Sequence, residues 1–211
     1  MINISFLAEK DEEFQMLIQV AEEYIRQHGK KTAEKRSGDA TEIVIRSHFL
    51  KHGLNMSEPK AGIEGSDIEI DLLLLKPNVN PNREVPYQPE EVKAAVEVKN
   101  NAVGGKWIDG KQEDPNDKIR DDFNELESVG VNLFAVAVLS ETLPSDPEKK
   151  PYKWRIQENK IGKRNCRVFT LVAREKWRRL YEVDVVREML KDREMRRTGE
   201  WEELLAYLRA L

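Results

Sequence analysis

Two stretches decide how this chain folds: Ile68-Glu69-Ile70-Asp71-Leu72-Leu73-Leu74-Leu75 and Ala94-Ala95-Val96-Glu97-Val98-Lys99. Strand periodicity puts residues i and i+2 on one face. Reading 68–76 as a strand, Glu69 and Asp71 share a face with Leu73 and Leu75. Ile68, Ile70, Leu72 and Leu74 make the other face. Reading 93–100 as the next strand, Glu97 and Lys99 share a face with Ala95, and Ala94, Val96 and Val98 lie opposite. Each strand therefore sends charge out from among apolar neighbours. An isolated buried charge is expensive, so a charge in such a place requires a partner or a metal. Paired side by side, the two strands would bring Asp71, Glu97 and Lys99 into one small site.

The flanking sequence supplies helices and one more core strand. Residues 8–28 read as an amphipathic helix with Gly29 as its stop. A second helix is expected over about 33–52, with Ala40, Ile43, Val44 and Leu50 as apolar positions and Gly53 after its end. Pro77, Pro81, Pro86 and Pro89 mark a long connection that holds no regular element. Asn116 or Asp117 would cap a helix carrying Ile119, Phe123 and Leu126 and ended by Gly130. Residues 131–139 are apolar at nearly every position, as a strand buried on both faces is. A strand over about 165–172 and a helix over about 174–195 follow. A last helix starts near Gly199, with Trp201, Leu204, Leu205, Leu208 and Leu211 along one stripe, which suits either a core face or a dimer contact. The order α-α-β-β-α-β-β-α-α predicts a mixed α/β domain with a central sheet and flanking helices.

Composition narrows the function. The 211 residues carry 35 Lys plus Arg and 39 Asp plus Glu, a formal net charge of −4. One domain of this length holds enough Leu, Ile, Val and Phe for a core. No stretch approaches the roughly 18 consecutive apolar residues of a membrane span. Residues 1–10 lack the pattern of a signal peptide, and Cys166 is the only cysteine, so no intrachain disulfide or cysteine-based zinc site is expected. A cytoplasmic location is the corresponding expectation. Residues 151–180 hold ten basic and two acidic residues, a local +8 on a body that is otherwise −12. Such a segment permits one cationic face, and Arg164 and Arg167 are expected to flank the site and contact phosphates. An ordinary solvated surface explains the same residues.

The chemistry of the central set is specific. Two carboxylates bind a hard divalent cation such as Mg²⁺ through oxygen, and the backbone carbonyl of Val98 is placed to join them. Such a cation acidifies a bound water and neutralises charge on a phosphate. An adjacent lysine supplies a fixed positive charge to the transition state. Glu42, on the second helix, is a further carboxylate for the same purpose; an i, i+4 pair with Arg46 fits it nearly as well. Asp67 has the same strand parity as Asp71 and is the alternative to it.

Three segments together, Gly65 to Leu75, Ala95-Val96-Glu97-Val98-Lys99 and the preceding Arg36 to Glu42, resemble the PD-(D/E)XK nuclease superfamily. The resemblance covers about half the chain and implies a restriction-endonuclease-like fold with an α-β-β-β-α-β core. One domain would then span 1–211, with its core at about 33–172 and helical additions at 8–28 and 174–211. By that resemblance Asp71 and Glu97 are metal ligands, Lys99 is the catalytic lysine and Glu42 the helical acid. The Pro-x-Asp form of the first motif is absent, since Ile70 precedes Asp71. The proline-containing insertion before Val92 looks like that of members nearer to restriction and phage defence than to housekeeping. The implied activity is a Mg²⁺-dependent endonuclease acting on DNA, with Mn²⁺ substituting, no membrane partner, and a homodimer as one route to double-strand cleavage. The alternative is a catalytically inactive nucleic-acid-binding or assembly module of the same fold.

Other residues carry weaker signals. Lys118 and Arg120 begin the helix after the Glu-x-Lys strand, where related folds place phosphate contacts, although solvated surface is the more common role for each. Asn100 and Asn101 directly follow that strand; substrate contact and a turn role fit them equally. Gly104-Gly105-Lys106 lacks the spacing of a phosphate loop. His48 and His52 form an i, i+4 pair near a helix end, where the dipole favours imidazolium. Lys153-Trp154-Arg155 and Lys176-Trp177-Arg178-Arg179 mix cations with indole and would suit base stacking, although a core-anchoring indole is the more common outcome.

Overall fold

A computed structural model describes residues 37–99, 107–108, 111–112, 114–138, 141–142, 156–174, 195–197 and 199–211. In chain order its elements are helix α1 (Ser37–Lys51), strands β1 (Ala61–Gly62), β2 (Glu69–Ile70), β3 (Leu72–Leu75) and β4 (Val92–Lys99), and a small hairpin of β5 (Trp107–Ile108) with β6 (Lys111–Gln112). Then come α2 (Pro115–Ser128), β7 (Phe134–Val138), β8 (Glu141–Thr142), α3 (Glu158–Ile161), β9 (Cys166–Thr170), β10 (Val172–Arg174), β11 (Met195–Arg197) and α4 (Glu200–Ala210). The expected helices at 8–28 and 175–194 lie outside the described residues.

The central sheet has the order β3-β4-β7-β9. β3 runs antiparallel to β4, with Leu72 opposite Val96 and Leu73 opposite Ala95; β4, β7 and β9 are parallel. Helices cover both faces because both faces are apolar. Leu72, Leu74, Ala94, Val96, Ala135 and Ala137 pack against Ile45 and Phe49 of α1 and Trp201, Leu204 and Leu208 of α4. Leu73, Leu75, Ala95, Phe134, Val136 and Val138 pack against Ile119, Phe123 and Leu126 of α2. Phe123 stacks on Phe134 with centroids 4.2 Å apart, worth about 0.5–1.5 kcal/mol beyond the area it buries. The stripe of α4 is thus a core face.

Several expectations are corrected. The strand over 68–76 is broken at Asp71 into β2 and β3, and β2 pairs with β1. On α1 the buried positions include Glu42, Ile45, His48 and Phe49, whereas Ile43 and Leu50 are exposed. The strand over 165–172 ends at Thr170, and the chain then leaves the central sheet to pair β10 with β8 and β11. Arg174 and Met195 are strand residues, so a helix over 174–195 does not hold at its ends.

The cap of α2 is Asp114, whose carboxylate accepts from Asn116 N–H at 2.9 Å, with Pro115 at the first helical position. Asn116 is buried for another purpose: its side-chain oxygen accepts from Gln157 N–H at 2.8 Å and ties α2 to the start of α3. Asp114→Ala should lower stability by about 1 kcal/mol in urea melts, the usual worth of an N-cap.

Candidate metal and phosphate site

Asp71, Glu97 and Lys99 converge where β3 begins. Continuing the β3–β4 register past Leu72 and Val96 puts Asp71 opposite Glu97. Glu97 and Lys99 pair with Val136 and Val138 of β7, so these two lie on the face covered by α2, with Asp71 at the adjoining edge of β4. The ladder ends at Asp71 in a particular way. Val98 N–H donates to Asp71 Oδ2 at 2.7 Å, so a carboxylate stands where a strand would present a carbonyl. In an extended strand the N–H and C=O of one residue leave on the same side. The Val98 carbonyl therefore also points toward the Asp71 edge.

Lys99 Nζ is bonded to Glu97 Oε1 in a close ion pair. The Lys99 ammonium acts on two carboxylates, the buried Glu97 and the half-buried Asp71, and burial is the largest influence on both. Burial raises the Glu97 pKa to about 7; Lys99 pulls it down, and Asp71 and Asp122 push it up again. Burial also raises the Asp71 pKa, opposed by Lys99 and the Val98 N–H and reinforced by Glu42, with Lys60 lowering it slightly. Burial works against the Lys99 ammonium, but Glu97, Asp71 and Asp122 outweigh it and its pKa is raised. The unfolded Glu97 titrates near 4.5 and the folded one at about 7. Its contribution to stability is therefore full below pH 4.5 and is lost as pH rises through 7. That loss is about 3 kcal/mol in metal-free protein. Glu97→Gln should flatten it, which urea melts at pH 4.5 and pH 8 in a chelator check.

The other sequence-predicted residues divide. Glu42 is buried on α1, and its charge acts on Asp71 to raise the Asp71 pKa. Its alternative partner Arg46 is engaged with Ser57 O, Asn82 and Glu58. Asp67 is exposed in a turn whose backbone is held by Glu125, and it is not the residue opposite Glu97. Lys118 reaches the site indirectly, chelated by both oxygens of Asp122 at 3.1 and 2.8 Å. Arg120 pairs with Asp117 on the outer side of α2. Arg164 and Arg167 are not brought to the site. Arg164 precedes β9, at the opposite end of the parallel strands from Lys99. Arg167 lies opposite Ala135 on the other face, bonded to Glu158 and set against Phe169 and Tyr207. Their charge was grouped with the site by proximity in sequence, whereas strand direction separates them. Asn100, Asn101, Gly104 to Lys106, Lys153 to Arg155 and Lys176 to Arg179 lie outside the described residues.

Asp122 is the site residue that sequence reasoning missed. Its signal was present: it stands three residues after Ile119 and beside Phe123, at the border of the buried stripe of α2, with Lys118 one turn before it. His48 is buried between His52 and Trp201, with ring centroids 4.6 and 4.7 Å away, and is a core residue.

The donor set around Asp71 is oxygen only: two carboxylates, the Val98 carbonyl, and Glu42 nearby. That suits a hard cation, and burial raises both carboxylate pKa values against the pull of Lys99. Among the described residues, however, no three His, Cys, Asp or Glu side chains are gathered closely enough to hold a metal as they stand. No described helix is long and apolar enough to cross a membrane. No protein family, curated protein or solved structure matches the chain.

Proposed function

We propose that this chain is a metal-dependent phosphodiesterase acting on DNA, an endonuclease on a restriction-endonuclease-like fold. The observation that carries the reading is the register pair of a half-buried Asp71 and a buried Glu97, with Lys99 ion-paired to Glu97. The order of elements supports it: α1, the single-residue bridge of Met56 to Leu74, β3, β4, α2 and β7 follow the helix, three strands, helix and strand that the resemblance implies.

In this reading Asp71, Glu97, the Val98 carbonyl and Glu42 hold Mg²⁺, or Mn²⁺ in its place. The bound cation would neutralise phosphate charge and acidify a water. Lys99 donates a hydrogen bond to the charge that develops at phosphorus, from a buried position where such a bond is strong. Asp122 holds Lys118 toward the mouth of the site, where it meets a neighbouring phosphate of the strand. Burial of Glu97 against α2 keeps bulk water from competing for the carboxylates.

A second reading, a nucleic-acid-binding or assembly module without activity, is favoured by one observation. Lys99 already neutralises Glu97 in an ion pair, and among the described residues no three acidic or imidazole side chains are gathered closely enough to hold a metal. Incubating the protein with plasmid and single-stranded DNA in Mg²⁺, in Mn²⁺ and in EDTA separates the two. Cleavage that EDTA abolishes supports the nuclease, and DNA binding without cleavage in any cation supports the module.

A further inference from the structure

A pocket of about 610 Å³ opens between the segment around Lys60 and the loop around Arg83, and it includes Glu69, two residues before Asp71. Its rim is tied to the site through the backbone, because Lys60 N–H donates to the Asp71 carbonyl at 3.1 Å. Lys60 is the one non-glycine residue at positive φ among the described residues, with φ 60°. Such a conformation costs energy and persists where the surroundings enforce it.

The walls are pre-built. Tyr87 N–H donates to Gly62 O at 2.9 Å, and Glu64 N–H to Tyr87 O at 2.8 Å, so Tyr87 forms a single parallel bridge with Ile63, just after β1. Arg83 is held by Glu91 at 3.1 and 2.6 Å and by the Pro86 carbonyl at 2.7 Å. Its guanidinium lies 4.2 Å from the Tyr87 ring centroid, and the side chain remains 23% exposed. A planar cation fixed in this way is a stacking platform for a nucleobase. The lining also holds Val85, itself 63% exposed, the exposed Lys60, Glu58 paired with Arg46, and the exposed carboxylates Glu69 and Glu84. Carboxylates repel a bare phosphate and accept from amino groups.

We propose that this pocket takes an unstacked nucleobase bearing an exocyclic amino group, from a nucleotide next to the scissile phosphate. The proposal rests on the nuclease reading and deepens it by naming how the substrate is read. The base stacks on Arg83, Glu69 and Glu84 accept from its amino group, and its phosphate lies toward Asp71. The strand must therefore be single or locally opened at that nucleotide, at a cost of a few kcal/mol where it starts paired.

The test uses full-length protein and single-stranded oligonucleotides whose one variable position is adenine, cytosine, thymine or an abasic site. Cleavage beside adenine or cytosine should exceed that beside thymine or the abasic site by about tenfold or more, the worth of one good polar base contact. The double variant Glu69→Ala/Glu84→Ala, which removes both acceptors, should reduce that ratio to near one. Arg83→Lys should weaken binding of every base while urea melts confirm the fold. A second arm in EDTA follows the fluorescence of 2-aminopurine at the variable position. Quenching on binding, diminished in Arg83→Lys, is the expected result. Equal cleavage at normal and abasic positions, or 2-aminopurine quenching unaltered by Arg83→Lys, would overturn the pocket while leaving the nuclease intact. Quenching that depends on Arg83 without cleavage of any oligonucleotide would overturn the nuclease reading, and with it the placement beside a scissile phosphate.

Discussion

Replacing Lys99 with alanine is expected to lower turnover by about 10²–10³, the effect of removing one charge-assisted donor from a buried transition state. Two consequences of the ion pair accompany that loss. In a chelator the variant should melt below wild type, because Glu97 and Asp71 lose the ammonium that offsets them. In saturating Mg²⁺ its melting point should return toward wild type, because a cation then does the offsetting. Mn²⁺ affinity by calorimetry should survive or tighten, since a like charge has gone. Lys99→Met, which keeps the stem and removes the charge, should behave in the same way. A merely structural lysine would give the first melting result and leave single-turnover cleavage in Mg²⁺ unchanged. Should wild type and both variants bind DNA alike and cut nothing, the assembly-module reading replaces the nuclease.

Asp71→Asn should have a larger effect on cleavage and the opposite effect on stability. The asparagine oxygen can still accept from Val98 N–H, so the end of the β3–β4 ladder is kept. What disappears is a half-buried negative charge whose pKa burial has already raised. The metal-free protein should therefore be as stable as wild type or more so. Cation binding should be lost, and cleavage should fall by about 10³ or more, several kcal/mol of transition-state stabilisation. Asp71→Ala should lose the same activity and some stability as well, because Val98 N–H then has no acceptor from this side chain. Plasmid nicking, Mn²⁺ calorimetry and urea melts on the two variants distinguish charge from hydrogen bonding. A cleaving Asp71→Asn would remove Asp71 from the metal site.

The central face of the site was legible because strand periodicity is rigid. Once 68–76 and 93–100 are strands, Asp71, Glu97 and Lys99 fall on one parity, and antiparallel pairing does the rest. The break at Asp71 was not legible. It depends on a side chain from one strand meeting an amide of the next, which no pattern within either stretch encodes. The cap of α2 was misplaced by two residues because Asp114, Asn116 and Asp117 are all good caps in isolation. Burial of Asn116 against Gln157 decides among them. On α1, hydrophobicity alone pointed to Ile43 and Leu50, whereas the face presented to β4 and α4 selects Ile45 and Phe49. Arg164 and Arg167 failed for another reason. Charge counted along a sequence carries no information on which end or face of a sheet receives it. The pocket between Lys60 and Arg83 depends on how the proline-rich connection folds back beside β1, a non-local event.

The Val98 amide proton, held by a carboxylate where a strand ladder would offer a carbonyl, also makes the protein its own indicator dye. Its nuclear resonance frequency depends on the charge of the oxygen it touches. Protonation of Asp71, arrival of a cation or approach of a phosphate would each move one peak in a nitrogen–proton correlation spectrum. An unlabelled ligand could thus be titrated against a single backbone signal, with no probe attached and no turnover required.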